Sequence, residues 1–248
     1  MVAKNAQVRK QSRSGFYMLL GVVALAGAGA IGWAVSRPKA IVSKVDPSIP
    51  LPKAQGYVKG KADAPVEIIE YADFECPGCG QFAAVTEPDI RAKLIETGEV
   101  RFRFMDHPLI ELHQNTMAAS LAAACANEQG KFWEMHDRIF MGQPDWSSYA
   151  TSNPRKIFRQ YVTEIGADGA AWDKCFDEQK FIPQIEANRN EGLQRGIRGT
   201  PTFIVGGRML TGNPTYDNIK ALVDSAKADL ASAPQAAATP TAAAPAPR

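Results

Sequence analysis

Cys76-Pro77-Gly78-Cys79 is the stretch whose residue types and spacing point most directly to chemistry. The run before it, Pro65 to Tyr71 (PVEIIEY), is β-branched and reads as a strand, and the residues from Cys76 to about Thr97 read as a helix. The motif therefore sits where a strand hands over to a helix. A helix N-terminus carries about half a positive charge and unpaired amide donors, which stabilise a thiolate, the reactive form of cysteine. With two residues between them, Cys79 lies one turn behind Cys76, within reach of a mixed disulfide formed there. The expected chemistry is two-electron exchange, with Cys76 attacking and Cys79 resolving. Two blander readings compete, half a zinc site and an inert structural bridge. Zinc usually takes four ligands, and no second Cys-x-x-Cys or His-x-x-x-His completes a set; His107 and His113 are six residues apart and His136 stands alone. No metal and no cofactor is expected.

Other elements must hold this motif. Val100 to Met105 (VRFRFM) and Thr202 to Val205 (TFIV) read as further strands, and the turn at Gly206-Gly207 leads into a fourth from Arg208 to Leu210. Strand, helix and strand in succession imply a crossover joining parallel strands. Pro88 is expected to kink or interrupt that helix. Residues 108–196 are helix-rich and interrupt the sheet, and Asp217 to Leu230 reads as a closing helix with Ile219, Leu222, Val223 and Ala226 on one face. Phe132, Trp133, Phe140 and Trp146 read as core between insertion and sheet, while Phe74 is a candidate for a partly exposed substrate contact.

The N-terminus sets the compartment. Phe16 to Val35 contains no charged residue, and a helix of that length crosses roughly 30 Å of hydrocarbon. Lys4, Arg9, Lys10 and Arg13 precede it, which favours an N-terminus retained inside and a body outside. The organisation expected is a basic segment and transmembrane anchor over 1–37, a linker over 38–55, a folded domain over 56–230 and a disordered Ala/Pro-rich tail over 231–248. The competing reading of the first segment is a signal peptide cleaved near Ala28-Gly29-Ala30, which also exports the body, as a soluble periplasmic domain.

Composition narrows the classes further. Hydrophobic residues at 45% and charged residues at 22% fit a chain that buries a core. The four N-terminal cations exceed the whole formal charge of +2, leaving the body at −2. No nucleic-acid partner is expected of it. The other two cysteines, Cys125 and Cys175, lie in the helical insertion and read as a structural disulfide closing a long loop; the rival is a second redox pair.

Three segments together carry a resemblance. Glu70-Tyr71-Ala72-Asp73-Phe74-Glu75-Cys76-Pro77-Gly78-Cys79, then Gln129-Gly130-Lys131-Phe132-Trp133, then Gly199-Thr200-Pro201-Thr202-Phe203 resemble the DsbA-like branch of the thioredoxin superfamily, in the expected order over roughly residues 56 to 230. The resemblance implies an α/β thioredoxin fold with an inserted helical subdomain. It implies that Thr200-Pro201 is a cis-proline loop facing the active-site pair and offering backbone groups to substrate. A cis bond is accessible there because only X-Pro bonds adopt it cheaply, and the rival is an ordinary trans turn. Glu70 matches a buried acid that moves protons to and from Cys79, against the alternative of a surface glutamate.

The resemblance further implies an enzyme that oxidises cysteine pairs in exported proteins, reoxidised by a quinone-linked partner in the membrane. Gly78 stands where the best-known members carry histidine, so a less oxidising couple is expected. A reductase or isomerase remains open, as do a peptide-holding module and metal delivery through Cys76 and Cys79.

Overall fold

The computed structural model describes residues 14–35, 53–212 and 214–232. The basic segment, nearly all of the expected linker and most of the expected tail lie outside the described residues. The chain divides into two units at Lys39. In the first, α1 is the 22-residue helix Ser14–Val35, with no acidic residue in its first turn and no basic one in its last. Side chains are described there for residues 17–27, all exposed. Among the described residues no helix is long and apolar enough to cross a membrane.

The second unit opens with a short strand β1 (Tyr57–Lys59), followed by β2 (Val66–Ala72). The single helix expected after Cys76 is three pieces: α2 (Pro77–Val85), α3 (Glu87–Ile90) and a π-helical turn over Arg91–Ile95. The break at Thr86 follows from Pro88, which has no N–H to return to the preceding turn and sits instead in the first turn of α3, where none is needed. β3 (Val100–Asp106) runs parallel to β2, with Glu70 level with Phe104.

Six helices form the insertion: α4 (Thr116–Asn127), α5 (Phe132–Met141), α6 (Gln143–Trp146), α7 (Arg155–Glu164), α8 (Gly169–Asp177) and α9 (Ile182–Gln194). The chain returns through β4 (Thr202–Val205), which pairs antiparallel with β2, turns into β5 (Arg208–Thr211), and closes with α10 (Tyr216–Ser232). The strand order is β1-β3-β2-β4-β5, which places β2, the strand leading to Cys76, in the middle.

Two cores position the site. Val66, Ile68, Phe102, Phe203 and Val205 of the sheet pack with Phe82, Ile90 and Leu94 beneath and with Ile219 and Val223 of α10. A second core, built from α4, α5, α7 and α8 around Trp146, Phe158, Trp172 and Phe176, extends to Phe74 and Cys79. Cys125 of α4 and Cys175 of α8 are joined by a disulfide.

Candidate functional site

Cys76 caps α2 in an extended conformation (φ −69°, ψ 122°), and Pro77 fills the first helical position. No side chain caps this helix, so its first amides are left for the Cys76 sulfur. Both motif cysteines are free thiols. Cys76 is 9% exposed and Cys79 wholly enclosed, which makes Cys76 the only sulfur of the pair that another molecule can meet. Phe74, offered by the sequence as a partly exposed contact, is completely buried instead; its ring packs at a tilt against Phe104 and Phe140.

The Thr200-Pro201 bond is cis, and the Cys76 thiol donates to the Thr200 carbonyl at 3.4 Å. A Cβ at Gly78 would stand 3.3 Å from Pro201 Cδ and 3.7 Å from Cys76 Sγ, so the motif and the proline loop are in close approach. The hydrogen bond from the Cys79 thiol is the largest cause holding the Cys76 thiol down at about 5. Burial works against it; the Thr200 side chain and the amides of Cys79 and Gly78 add to it. Cys79 is displaced the opposite way, pushed well up by burial, by its hydrogen bond to Cys76, and by the nearby charges of Cys76 and Glu70. The two sulfurs are therefore inequivalent: one ionises readily where it can be reached, the other holds its proton where it cannot.

Glu70 lies on the same face of β2 as Val66 and Ile68, and it is 1% exposed rather than at a surface. Burial raises its carboxyl well above the ordinary range, with the Glu87 and Cys76 charges adding to the effect and Arg91 opposing it.

A family model described as thioredoxin matches residues 53–225. The chain belongs to the thioredoxin family. Among solved structures it is similar to oxidised BdbD of Bacillus subtilis, with a TM-score of 0.61 and 24% identity over 71% of this chain and 97% of that one. It is also similar to α-DsbA1 of Wolbachia pipientis, with a TM-score of 0.63 and 21% identity over 73% and 96%. Among curated relatives, disulfide bond formation protein D of Bacillus subtilis is 28% identical over 173 residues, 67% of this chain and 75% of that protein. Na+/H+ antiporter NhaA 3 of Salinispora tropica is 32% identical over 196 residues, 79% of this chain and 28% of that protein. The chain thus spans only 26–28% of the length of the antiporters first among those relatives.

Within this thioredoxin fold, several supports of the site escaped the reading of the sequence. Asp73 is fully buried and receives Glu75 N (2.7 Å), Thr116 Oγ1 (2.6 Å), Leu109 N (2.8 Å) and His113 Nδ1 (2.8 Å). The Asp73 hydrogen bond raises the His113 imidazole above its usual value against the effect of burial. Glu75 accepts from Asn115 N at 2.7 Å and from Ser148 N, and Gln143 Nε2 donates to the carbonyls of Phe74 (2.6 Å) and Cys76 (3.0 Å). The insertion thus holds the active-site loop by its backbone. The sequence signal for these supports is the pair of acids, Asp73 and Glu75, within four residues of Cys76.

Proposed function

We propose that this chain is a protein dithiol-disulfide oxidoreductase that exchanges disulfides with exported proteins, oxidising their cysteine pairs through the Cys76-Cys79 couple. The observation that carries the reading is the unequal pair: Cys76 low and reachable, hydrogen-bonded to the carbonyl of Thr200, with Cys79 raised and enclosed. In the oxidising direction a substrate thiolate attacks Cys76 Sγ of the Cys76–Cys79 disulfide, and Cys79 departs with the electron pair and takes up a proton. A second substrate thiolate then attacks the substrate sulfur of the mixed disulfide. The substrate leaves oxidised and Cys76 leaves as a thiolate. The lower the Cys76 pKa, the better that sulfur leaves and the more oxidising the couple.

Thr200 and Pro201 are assigned to substrate binding, Pro77 and Gly78 to shaping the motif, Glu70 to proton transfer with Cys79, and Cys125–Cys175 to structure. The two electrons gained per cycle must pass to an acceptor, for which a quinone-linked membrane partner is the proposed class. No metal or cofactor takes part.

The proposed location is the cell inner membrane, single-pass through residues 16–35, with the catalytic domain on the periplasmic or extracytoplasmic side. The support for it is in the sequence, where Phe16 to Val35 carries no charged residue behind four basic ones. Tethering would raise the effective concentration of domain and membrane acceptor without new contacts. Release of the protein from membranes by alkaline carbonate would overturn the anchor in favour of a cleaved, soluble form.

The deciding experiment is a Cys79→Ser variant incubated with reduced, exported cysteine-containing proteins. Mixed disulfides through Cys76 are expected to accumulate; binding without a covalent adduct would indicate a peptide-holding module instead. The absence of histidine at Gly78 favours a second reading, a reductase. The measured potential separates the two, with thioredoxin near about −270 mV and DsbA near about −120 mV as the reference points.

A further inference from the structure

Cys79 poses a proton problem that Glu70 alone does not solve. Its sulfur has no accessible surface, so its proton has no bulk water to enter or leave by. A proton passed to Glu70, itself 1% exposed, is still inside the protein. Glu70 Oε2 is enclosed without a hydrogen-bond partner, and so are Glu87 Oε2 and His136 Nε2. Folds rarely leave buried polar atoms unpartnered, and each instance calls for a reason.

Glu87 lies near enough to Glu70 for its charge to raise the Glu70 carboxyl, and from Glu87 a row of side chains runs to the surface. Glu87 Oε2 is 3.9 Å from His136 Nε2. His136 Nδ1 is 2.8 Å from Asp137 Oδ1, and the Asp137 side chain is 44% exposed. Arg91 grips both ends, Glu87 Oε1 and Asp137 Oδ1, each at 2.6 Å. The rings of Phe74, Phe104, Phe132, Trp133 and Phe140 surround the imidazole with centroids 4.8–6.0 Å away. The charged groups facing His136 are thus Glu87, Arg91 and Asp137, with Lys59 of β1 near the mouth, over the face of Trp133.

We propose that Glu87, His136 and Asp137 form a proton exit for Cys79 and Glu70. The proposal rests on the exchange reading of the cysteine pair. In the resolving direction the Cys79 thiol gives its proton to the Glu70 carboxylate, and Cys79 Sγ attacks the mixed disulfide at Cys76, forming the Cys76–Cys79 bond and expelling the substrate thiolate. The proton moves from Glu70 to Glu87. Glu87 then donates to His136 Nε2 while the Nδ1 proton passes to Asp137 and on to water. One proton leaves per resolving step and every carboxylate is regenerated, while His136 is left with its proton on Nε2 until the reverse sequence returns it to Nδ1. The reverse sequence protonates Cys79 when it departs.

The test uses the whole chain. Reduced protein is mixed with an aromatic disulfide reagent, and two steps are timed: attack by Cys76, then release of the second aromatic thiol by Cys79. Glu87→Gln and His136→Gln are expected to slow release about tenfold, and Asp137→Asn a few-fold, with a displaced pH profile and an enlarged solvent deuterium effect. Attack by Cys76, which needs no proton from Cys79, should keep its rate. Asp137→Asn alters a half-exposed side chain and stays informative if His136→Gln does not fold. Unchanged release rates and pH profiles in Glu87→Gln and Asp137→Asn would overturn the relay. Failure of the wild-type chain to release the second thiol would overturn the exchange reading beneath it.

Discussion

Asp73 and Glu70 stand three residues apart, and both are closed off from water. Around Asp73 both oxygens are met, each by two donors from the active-site loop or the insertion. Around Glu70 one oxygen meets nothing, and the charges acting on it are a second carboxylate, Glu87, then Arg91, which opposes it, and Cys76. The first region uses a buried acid as a fastener: donors that stabilise the carboxylate bind the loop to α4. The second leaves the acid short of donors, which keeps its protonation responsive to a neighbouring sulfur. Burial alone therefore does not tell the two acids apart; the count of donors around each does.

The comparison breaks most easily at Asp73. Asp73→Ala strands the amides of Glu75 and Leu109 and the Thr116 hydroxyl without an acceptor. The expected loss is about 4–5 kcal/mol of unfolding free energy in urea titration. A loss below about 1 kcal/mol would mean that water or a shifted loop replaces the carboxylate at little cost, and the fastener would be no fastener.

The cysteine pairs repeat the contrast. Cys125 and Cys175 are bonded across 50 residues of chain, a closure that limits the unfolded ensemble by about 4 kcal/mol in the loop-entropy account. The double variant Cys125→Ala/Cys175→Ala is expected to lose about 3–4 kcal/mol while release of thiol at Cys76 keeps its rate. A slower exchange in that variant would make the second pair an electron shuttle and dissolve the division between stapling and reacting sulfur.

How far the sequence disclosed these regions depends on how local each signal is. The β-branched runs located β2, β3 and β4, because side-chain alternation is a property of neighbours along the chain. β1 went unseen: three residues carry no period, and Tyr57–Lys59 is a strand only because β3 lies beside it. Cys76 and Cys79 were legible from spacing, and Thr200-Pro201 from resemblance. His136 looked isolated because Glu87 and Arg91, some fifty residues earlier, reach it only through the fold. The adjacent His136-Asp137 and the Glu87/Arg91 pair at helical spacing were the available hints.

Asp106 lies between the extremes and sharpens the scale. Its Oδ2 accepts from Asn188 Nδ2 at 3.0 Å, whereas Oδ1 is unpartnered. Burial raises it to about 6, with the Asn188 hydrogen bond opposing. Its unfolded value is near 3.9, so the folded chain binds the extra proton between about pH 4 and 6. Stability from this group is therefore present below that window and declines as pH rises through it, by about 3 kcal/mol in all. Asp106→Asn should flatten the decline and stabilise the protein at neutral pH, as read by denaturant midpoints across that range. An unchanged slope would place the proton elsewhere.

The smallest stability effect is expected at Glu70. Replacing a buried, poorly donated carboxyl by an amide of the same shape removes an ionisation that the interior penalises. Glu70→Gln should therefore change unfolding free energy by no more than about 1 kcal/mol, in the stabilising direction. The same variant should slow release by Cys79 at least about tenfold, since an amide cannot carry the thiol proton. Measured side by side, Asp73→Ala and Glu70→Gln test the distinction itself. If Glu70→Gln unfolds the protein as Asp73→Ala is expected to, its missing donors are a defect of packing and the acid has no proton to carry.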